Sequence, residues 1–496
     1  MTIPFQHVLV TGATGYIGGR LVPQLLLRGH RVRCLARDPD HLVGRWPEVE
    51  VAGGDVLRPE TLPPALQGIE AAYYLIHSMA AGEHGFAERD LEAADNFARA
   101  AHAAGVQRII YLGGLGLAED TLSPHLRSRQ ETGQRLAVHG VPVTEFRAGV
   151  IVGSGSLSFE LIRYLAERLP LMICPRWIQT RIQPIGVLDV MRYLTDCLEV
   201  PESAGRILEI GGRDILSYAD MVRVYARVRG LRRRLVHVPI LTPRLSSYWI
   251  NIVTPIPMAI ARPLIEGLRN EVIVHDDTAR QMFDFEPMSY EAAVRLALER
   301  WVTGQVKTVW SSSSAAFGTD SHAVHLSETE GLIQERRQLA CRAPATRVFR
   351  VCSSLGGRRG WLYANWLWRV RGLMDRLIGG VGMRRGRRSP HQLRVGDAVD
   401  FWRVEALEPD RLLCLRAEMK LPGQAWLQFQ VQADGDDRSI LTQIAFFEPK
   451  GLFGSLYWTL LYPLHQMIFR GLARAVVRCA ERRSPRRHKE HKGHQD

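Results

Sequence analysis

The sequence predicts an α/β protein: a doubly wound parallel sheet with a small substrate-side subdomain, followed by an α+β domain. Three observations carry that prediction. The apolar run Val8-Leu9-Val10 meets glycines at 12, 15 and 18 and then a helical apolar pattern. From there to about residue 150, apolar runs of strand length alternate with helical stretches, the order that builds a parallel sheet. Beyond residue 346, several segments alternate with the two-residue period of antiparallel strands, and a long helical stretch comes last.

The stretch 7–18, HVLVTGATGYIG, organises the first half. A strand, a glycine turn and a helix start aim backbone N–H groups and a positive dipole end at one spot, which suits a pyrophosphate. Gly12 permits the tight turn, Gly15 lets the backbone approach phosphates, and Gly18 lets helix and strand pack closely. Thr14, Tyr16 and Ile17 complete this Rossmann-type turn and are candidate cofactor contacts.

With 496 residues the chain is too long for one core, and two or three domains are expected. Its 46 % apolar and 23 % charged residues are those of a soluble globular protein. Seven scattered cysteines without a CxxC pair argue against disulfides and a zinc site, and for reduced thiols in the cytoplasm. The first strand begins at once, so no signal peptide is expected. Charge is uneven: 331–496 holds 30 of the 64 Lys and Arg but 15 of the 51 Asp and Glu, a net +15 against −2 for the rest. Contact with an anionic surface or plain solubility would both account for it.

Taken in order, the second strand (30–36) ends in Arg37-Asp38. An acidic residue closing this strand binds the ribose 2′-hydroxyl of NAD, whereas a guanidinium pairs with a 2′-phosphate. Arg37 therefore favours NADP, while Asp38 keeps NAD open. A third strand (49–52) runs into Gly53-Gly54-Asp55-Val56, where Asp55 suits the amine of adenine and Val56 lies beside it. The fourth (71–76) ends in Ile76, His77 and Ser78, which should line the cofactor cleft at the carboxyl ends of the strands. A helix over 86–104 and a fifth strand (107–112) ending at Gly113 follow.

At this point TGATGYIG, GDVLRPETL, YYLIHSM, RIIYLGGLG and FRAGVIVGSGS resemble the short-chain dehydrogenase/reductase superfamily. The nearest likeness is to its atypical, NmrA-like members and the relatives of the complex I accessory subunit. QPIGVLDV at 183–190 and RILEIGGRDILSYADM at 206–221 extend it across roughly the first 300 residues. The resemblance implies a serine after the fifth strand and a Tyr-x-x-x-Lys pair on the next helix. Here Gly113 or Gly114 takes the serine position, and His125 and Arg129 take those of the tyrosine and lysine. His125 could donate a proton at neutral pH. Arg129 could hold a ribose hydroxyl, although it relays protons less well than lysine. Loss of the standard chemistry, or another donor such as Tyr111 or His77, are the alternatives. The resemblance also sets Ala148, Gly149 and Val150 along the nicotinamide.

From about 157 to 300 the chain supplies substrate-side elements. The uncharged segment 245–261 reads as an apolar wall over a greasy substrate or as core packing. The stretch 306–345, with its serine run, reads as a linker. Over 346–482, strands are expected at 347–353, 398–406, 411–419, 424–433 and 439–447, with helices at 361–377 and 451–481. The arrangement resembles the helix-grip fold of START and polyketide-cyclase-like proteins, and a domain of no assigned activity often fused behind these reductases. The uncharged run 451–469 is read first as packing, then as interfacial membrane contact, and last as a span. The basic tail 483–496 could hold an anionic membrane face. No sequence-specific nucleic-acid motif is present.

These readings give an NADP-dependent, cytoplasmic oxidoreductase acting on an apolar carbonyl, quinone or lipid-like substrate. The alternatives are a nucleotide-sensing or assembly protein without turnover, and a carrier of an apolar ligand through the second domain. Oligomeric state is left open.

Overall fold

A computed structural model describes residues 5–42, 45–76, 86–116, 122–237, 267, 270–302, 325–329, 332–382, 387 and 393–482. The chain divides into two units, Met1–Ala316 and Phe317–Asp496.

The first unit is built on β1 (His7–Thr11), β2 (Arg31–Ala36), β3 (Glu50–Gly53), β4 (Ala71–Tyr74), β5 (Arg108–Gly114) and β6 (Val143–Ala148), with a seventh strand, Ile207–Ile210, at the edge. The order is seventh strand, β6, β5, β4, β1, β2, β3, and all pairs are parallel. Val8, Leu9 and Val10 are wholly buried, because a parallel strand is covered on both faces. Strand order reverses between β1 and β4, which opens a crevice at their carboxyl ends. The Phe86–Ala103 and Pro124–Leu136 helices follow β4 and β5. A second apolar cluster, around Phe159, Ile162, Tyr225 and Val294, forms a separate lobe of this unit.

Among the described residues, the second unit is an antiparallel seven-stranded sheet and three α-helices, Ala345–Cys352, Asn365–Leu377 and Gly451–Glu481. Its strands, in spatial order, are His325–Thr329, Leu332–Cys341, Ser439–Pro449, Gly423–Ala433, Leu412–Ala417, Trp402–Glu408 and Ala398–Val399. Two expectations change here. The stretch read as a linker supplies the first two of these strands. Charged Glu335 and Arg337 face inward and break the apolar alternation that marks a strand. The segment 347–353, expected as a strand, lies largely in the first helix, whose buried Val348, Phe349, Val351 and Cys352 pack in the core. A short apolar run does not distinguish strand from helix. Trp361 stacks on Trp368 with centroids 4.6 Å apart and donates its indole N–H to Asp400 at 3.0 Å. All seven cysteines are free thiols. No helix among the described residues is long and apolar enough to cross a membrane.

Candidate functional site

The glycine turn sits at the switch point. Gly12 adopts φ +65°, a left-handed conformation, and a Cβ there would lie 2.7 Å from the Leu75 carbonyl oxygen. At Gly18 a Cβ would lie 2.4 Å from the Gly12 oxygen, so the first helix, α1 (Gly18–Leu27), can start this close to β1 only with glycine there. Gly15 differs. Among the described residues a Cβ there meets only the Gly12 oxygen, at 3.1 Å, a looser fit than at Gly12 or Gly18. Among the described residues no side chain caps α1, which suits an N-terminus meant for an anion. Tyr16 lies under the Arg20 guanidinium at 4.0 Å, and Arg20 donates to the Ser154 carbonyl at 2.7 Å. Thr14 and Ile17 are half-buried in the turn, and Ile17 packs against the first core.

One residue outside the sequence-derived set fixes the crevice. Thr11 is fully buried at the end of β1. Its hydroxyl donates to the Tyr73 carbonyl at 3.0 Å and accepts the Leu75 N–H at 2.9 Å. Only the position of Thr11, just before Gly12, could have signalled this.

Around the crevice, Arg37 is exposed just past β2, while Asp38 accepts the Asp40 N–H at 3.1 Å and caps the turn Pro39–His41. Asp55 is half-buried and its Oδ1 accepts the Leu57 N–H at 3.1 Å. The Val56 side chain belongs to the core, and its carbonyl accepts from Asn96. Ile76 packs partly against the same core. His77, Ser78 and the segment 245–261 lie outside the described residues. Ala148 pairs with Gly114 and its carbonyl accepts the Leu115 N–H at 3.0 Å. A Cβ on Gly149 would lie 2.9 Å from Val272, and the Val150 carbonyl accepts the Ile185 N–H at 2.9 Å. The carboxyl ends of β5 and β6 thus meet the second apolar cluster at 148–150.

The catalytic positions are rebuilt. Of the two positions open to the family's serine, Gly113 faces Glu145, and a Cβ there would lie 2.9 Å from its Oε1, while a Cβ on Gly114 would lie 3.0 Å from the Leu126 side chain. Gly133 on the neighbouring helix faces the same carboxylate, at 2.3 Å from a built Cβ. Glu145 is 3 % exposed; burial pushes its pKa up, against the pull of Arg147, whose Nε donates to it at 2.7 Å. A lone acid inside the apolar strand VTEFRA was the available signal. Arg129 donates to the Leu112 carbonyl, and its guanidinium lies 5.0 Å from the Tyr111 ring. The structure thus shows this arginine bonded to its own sheet. Tyr111, the alternative donor, is wholly buried and spends its hydroxyl on the Arg129 carbonyl at 2.9 Å, and burial raises its pKa to about 12. His125 lies half-buried on the first turn of the Pro124–Leu136 helix, one turn before Arg129.

Residues 12–140 match the family described as NAD(P)H-binding, and residues 331–472 match a family described as a protein of unknown function, DUF2867. The chain is 31 % identical to a ceramide reductase of Caulobacter vibrioides over 235 residues, 47 % of this chain and 73 % of that protein. It is 25 % identical to a photosystem II assembly factor of Trieres chinensis over 245 residues, 49 % of this chain and 75 % of that one. Among solved structures, the Citrobacter sp. triphenylmethane reductase in complex with NADP(H) superposes with a TM-score of 0.48 at 19 % identity, over 59 % of this chain and 99 % of that one. The parallel sheet, its glycine turn, the NAD(P)H-binding family match and the ceramide reductase relative define an NAD(P)H-binding domain of a reductase-like family. The chain belongs to the NmrA-like, atypical short-chain dehydrogenase/reductase superfamily, in a form with a DUF2867 domain behind the nucleotide-binding one.

Proposed function

We propose that the first unit binds NADPH and reduces an apolar carbonyl, quinone or lipid-like compound. The observation that carries this reading is the uncapped glycine turn at the switch point, with Arg37 exposed at the end of the neighbouring β2. The bound dinucleotide supplies the hydride. The backbone of 12–18 would hold its phosphates, and Arg37 would pair with a 2′-phosphate. Asp55 would accept from the adenine amine, and the 148–150 backbone would line the nicotinamide side. His125 would deliver the proton. An apolar substrate is supported by the relative named a ceramide reductase and by the uncharged segment 245–261.

The test is a titration of NADPH and NADH against the full chain and against Arg37→Ala. NADPH should bind about tenfold tighter, a preference of about 1.4 kcal/mol, and the variant should erase it. Equal affinity of the wild type for both nucleotides would remove the NADP assignment, and no binding at all would remove the cofactor reading.

A nucleotide-sensing or assembly role without turnover is the second reading. It is favoured by a glycine at both candidate serine positions, 113 and 114, and by the Arg129 bond to Leu112, and one relative is named an assembly factor. His125→Ala separates the two. Lost NADPH oxidation with retained nucleotide affinity supports catalysis there; unchanged oxidation excludes His125 as the acid.

A further inference from the structure

The helix Gly451–Glu481 has two unlike faces. One packs inward through Trp458, Phe469, Leu472 and Val476. The opposite face begins as an apolar stripe at helical spacing: Phe453 is 82 % exposed and Leu460 77 %, with Leu456, Leu464 and Met467 along the same line. Over its first 19 residues, 451–469, the helix carries no formal charge. Past that point the same line becomes arginine, with Arg470, Arg474 and Arg478 all exposed.

A second helix repeats the pattern. Asn365–Leu377 turns Trp368, Gly372 and Asp375 inward. Its outer face carries Trp366, Val370, Leu373, Met374 and Leu377, with Leu377 79 % exposed and Arg369 and Arg376 at the margins. The two helices are neighbours. The rings of Trp368 and Phe469 lie 6.2 Å apart. At the other end one loop touches both. Asp375 accepts the Lys420 N–H at 2.7 Å, and the Lys420 ammonium donates to the Ile378 carbonyl at 2.9 Å. A Cβ on Gly454 would lie 2.4 Å from the Pro422 oxygen. The helices therefore run antiparallel, and their apolar stripes belong to one region of the second unit.

We propose that this region seats the second unit on the surface of a bilayer containing anionic lipid. Exposed apolar side chains this numerous on two adjacent helices are unusual for a surface that meets only water. Leu, Phe, Trp and Met on one face, with arginines at its margins and end, make the composition of a helix lying in a membrane interface. The arginines and the net +15 of residues 331–496 complement anionic headgroups. Since no helix among the described residues is long and apolar enough to span, the contact is one of lying on the membrane. This proposal stands independently of the reductase reading.

The test is co-sedimentation of the full chain with vesicles of phosphatidylcholine carrying about 30 % phosphatidylglycerol, beside vesicles of phosphatidylcholine alone. Binding should be at least about tenfold stronger to the anionic vesicles and should weaken with salt. Phe453→Glu with Leu460→Glu, both exposed, should keep the melting temperature and lose about tenfold in vesicle binding. Leu373→Glu with Leu377→Glu, on the other helix, is the companion variant should the first pair fail to fold. The proposal is overturned if the wild type stays in the supernatant with both vesicles. It is equally overturned if folded variants bind like the wild type, since a basic tail would then suffice. A wild type that forms a dimer which the variants dissociate, with no vesicle binding, would show that a second copy covers the face instead.

Discussion

The Thr11 hydroxyl donates to the Tyr73 carbonyl at 3.0 Å, tying the end of β1 to the end of β4 at the point where the sheet order reverses. The same oxygen accepts the Leu75 N–H at 2.9 Å, and the Leu75 carbonyl packs where a Cβ of Gly12 would stand. One buried side chain therefore links the ends of the two strands between which the sheet order reverses. Thr11→Val keeps the shape and removes the hydroxyl, leaving the Leu75 N–H and Tyr73 carbonyl without it. Urea unfolding should show a loss of about 1–3 kcal/mol, and the NADPH Kd should rise. Thr11→Ser, which keeps the oxygen, should restore most of both.

Gly15 and Gly18 should separate affinity from stability. A methyl at Gly18 would run into the backbone of Gly12, with its oxygen at 2.4 Å and its carbon at 2.8 Å, and backbone cannot step aside cheaply. Gly18→Ala should therefore lower stability by about 1–3 kcal/mol or more and abolish binding together with it. At Gly15 the only near atom among the described residues is the Gly12 oxygen, at 3.1 Å. Gly15→Ala should melt close to the wild type and still bind NADPH at least about tenfold more weakly, because the methyl occupies the phosphate approach. Calorimetric titration beside a thermal melt distinguishes the two patterns.

The strand and turn chemistry of the first unit was legible because buried parallel strands are written as continuous apolar runs and the turn is written in glycine. The 451–481 helix was legible for a like reason, since its core-facing positions recur at helical spacing. What escaped was decided by tertiary partners. Leu332–Cys341 looks polar because Glu335 and Arg337 are buried as a pair under the sheet's neighbour helix, which no local pattern reports. Glu145 explains the two glycines around it, yet it stands 32 residues after Gly113 and 12 after Gly133 in sequence. Its proximity to both exists only once β5, β6 and the Pro124–Leu136 helix have packed.

His465 gives the second unit a pH signature. It lies among the rings of Trp458, Tyr457 and Phe469, with centroids 5.1–6.3 Å away. Burial, aided by the Arg371 charge, lowers its pKa from 6.5 to about 4. The unfolded chain takes up a proton as pH falls through about 6.5, whereas the folded chain resists until about 4. Stability is therefore lost progressively across that window, up to a ceiling of about 3 kcal/mol. His465→Phe, which keeps a ring in the same nest, should lose less stability than the wild type between pH 7 and 4. Parallel melts at the two pH values test this; identical losses in both proteins would mean that His465 titrates normally.

Gly113 and Glu145 should behave as one unit. A side chain at 113 would enter the space held by the Glu145 carboxylate, 2.9 Å from a built Cβ, and Gly133 closes on the same group from the other side. Gly113→Ser alone should thus cost about 1–3 kcal/mol by overpacking, although the family's serine falls at 113 or 114. In a Glu145→Ala background the obstacle is gone, and the same serine should cost far less. The double-mutant cycle should return a coupling of at least about 1 kcal/mol in urea unfolding. Additive losses would show that Glu145 is not what excludes the serine. A strong coupling would mean that this chain exchanged the family's hydroxyl for a buried carboxylate, and that restoring the serine to test turnover requires changing both residues together.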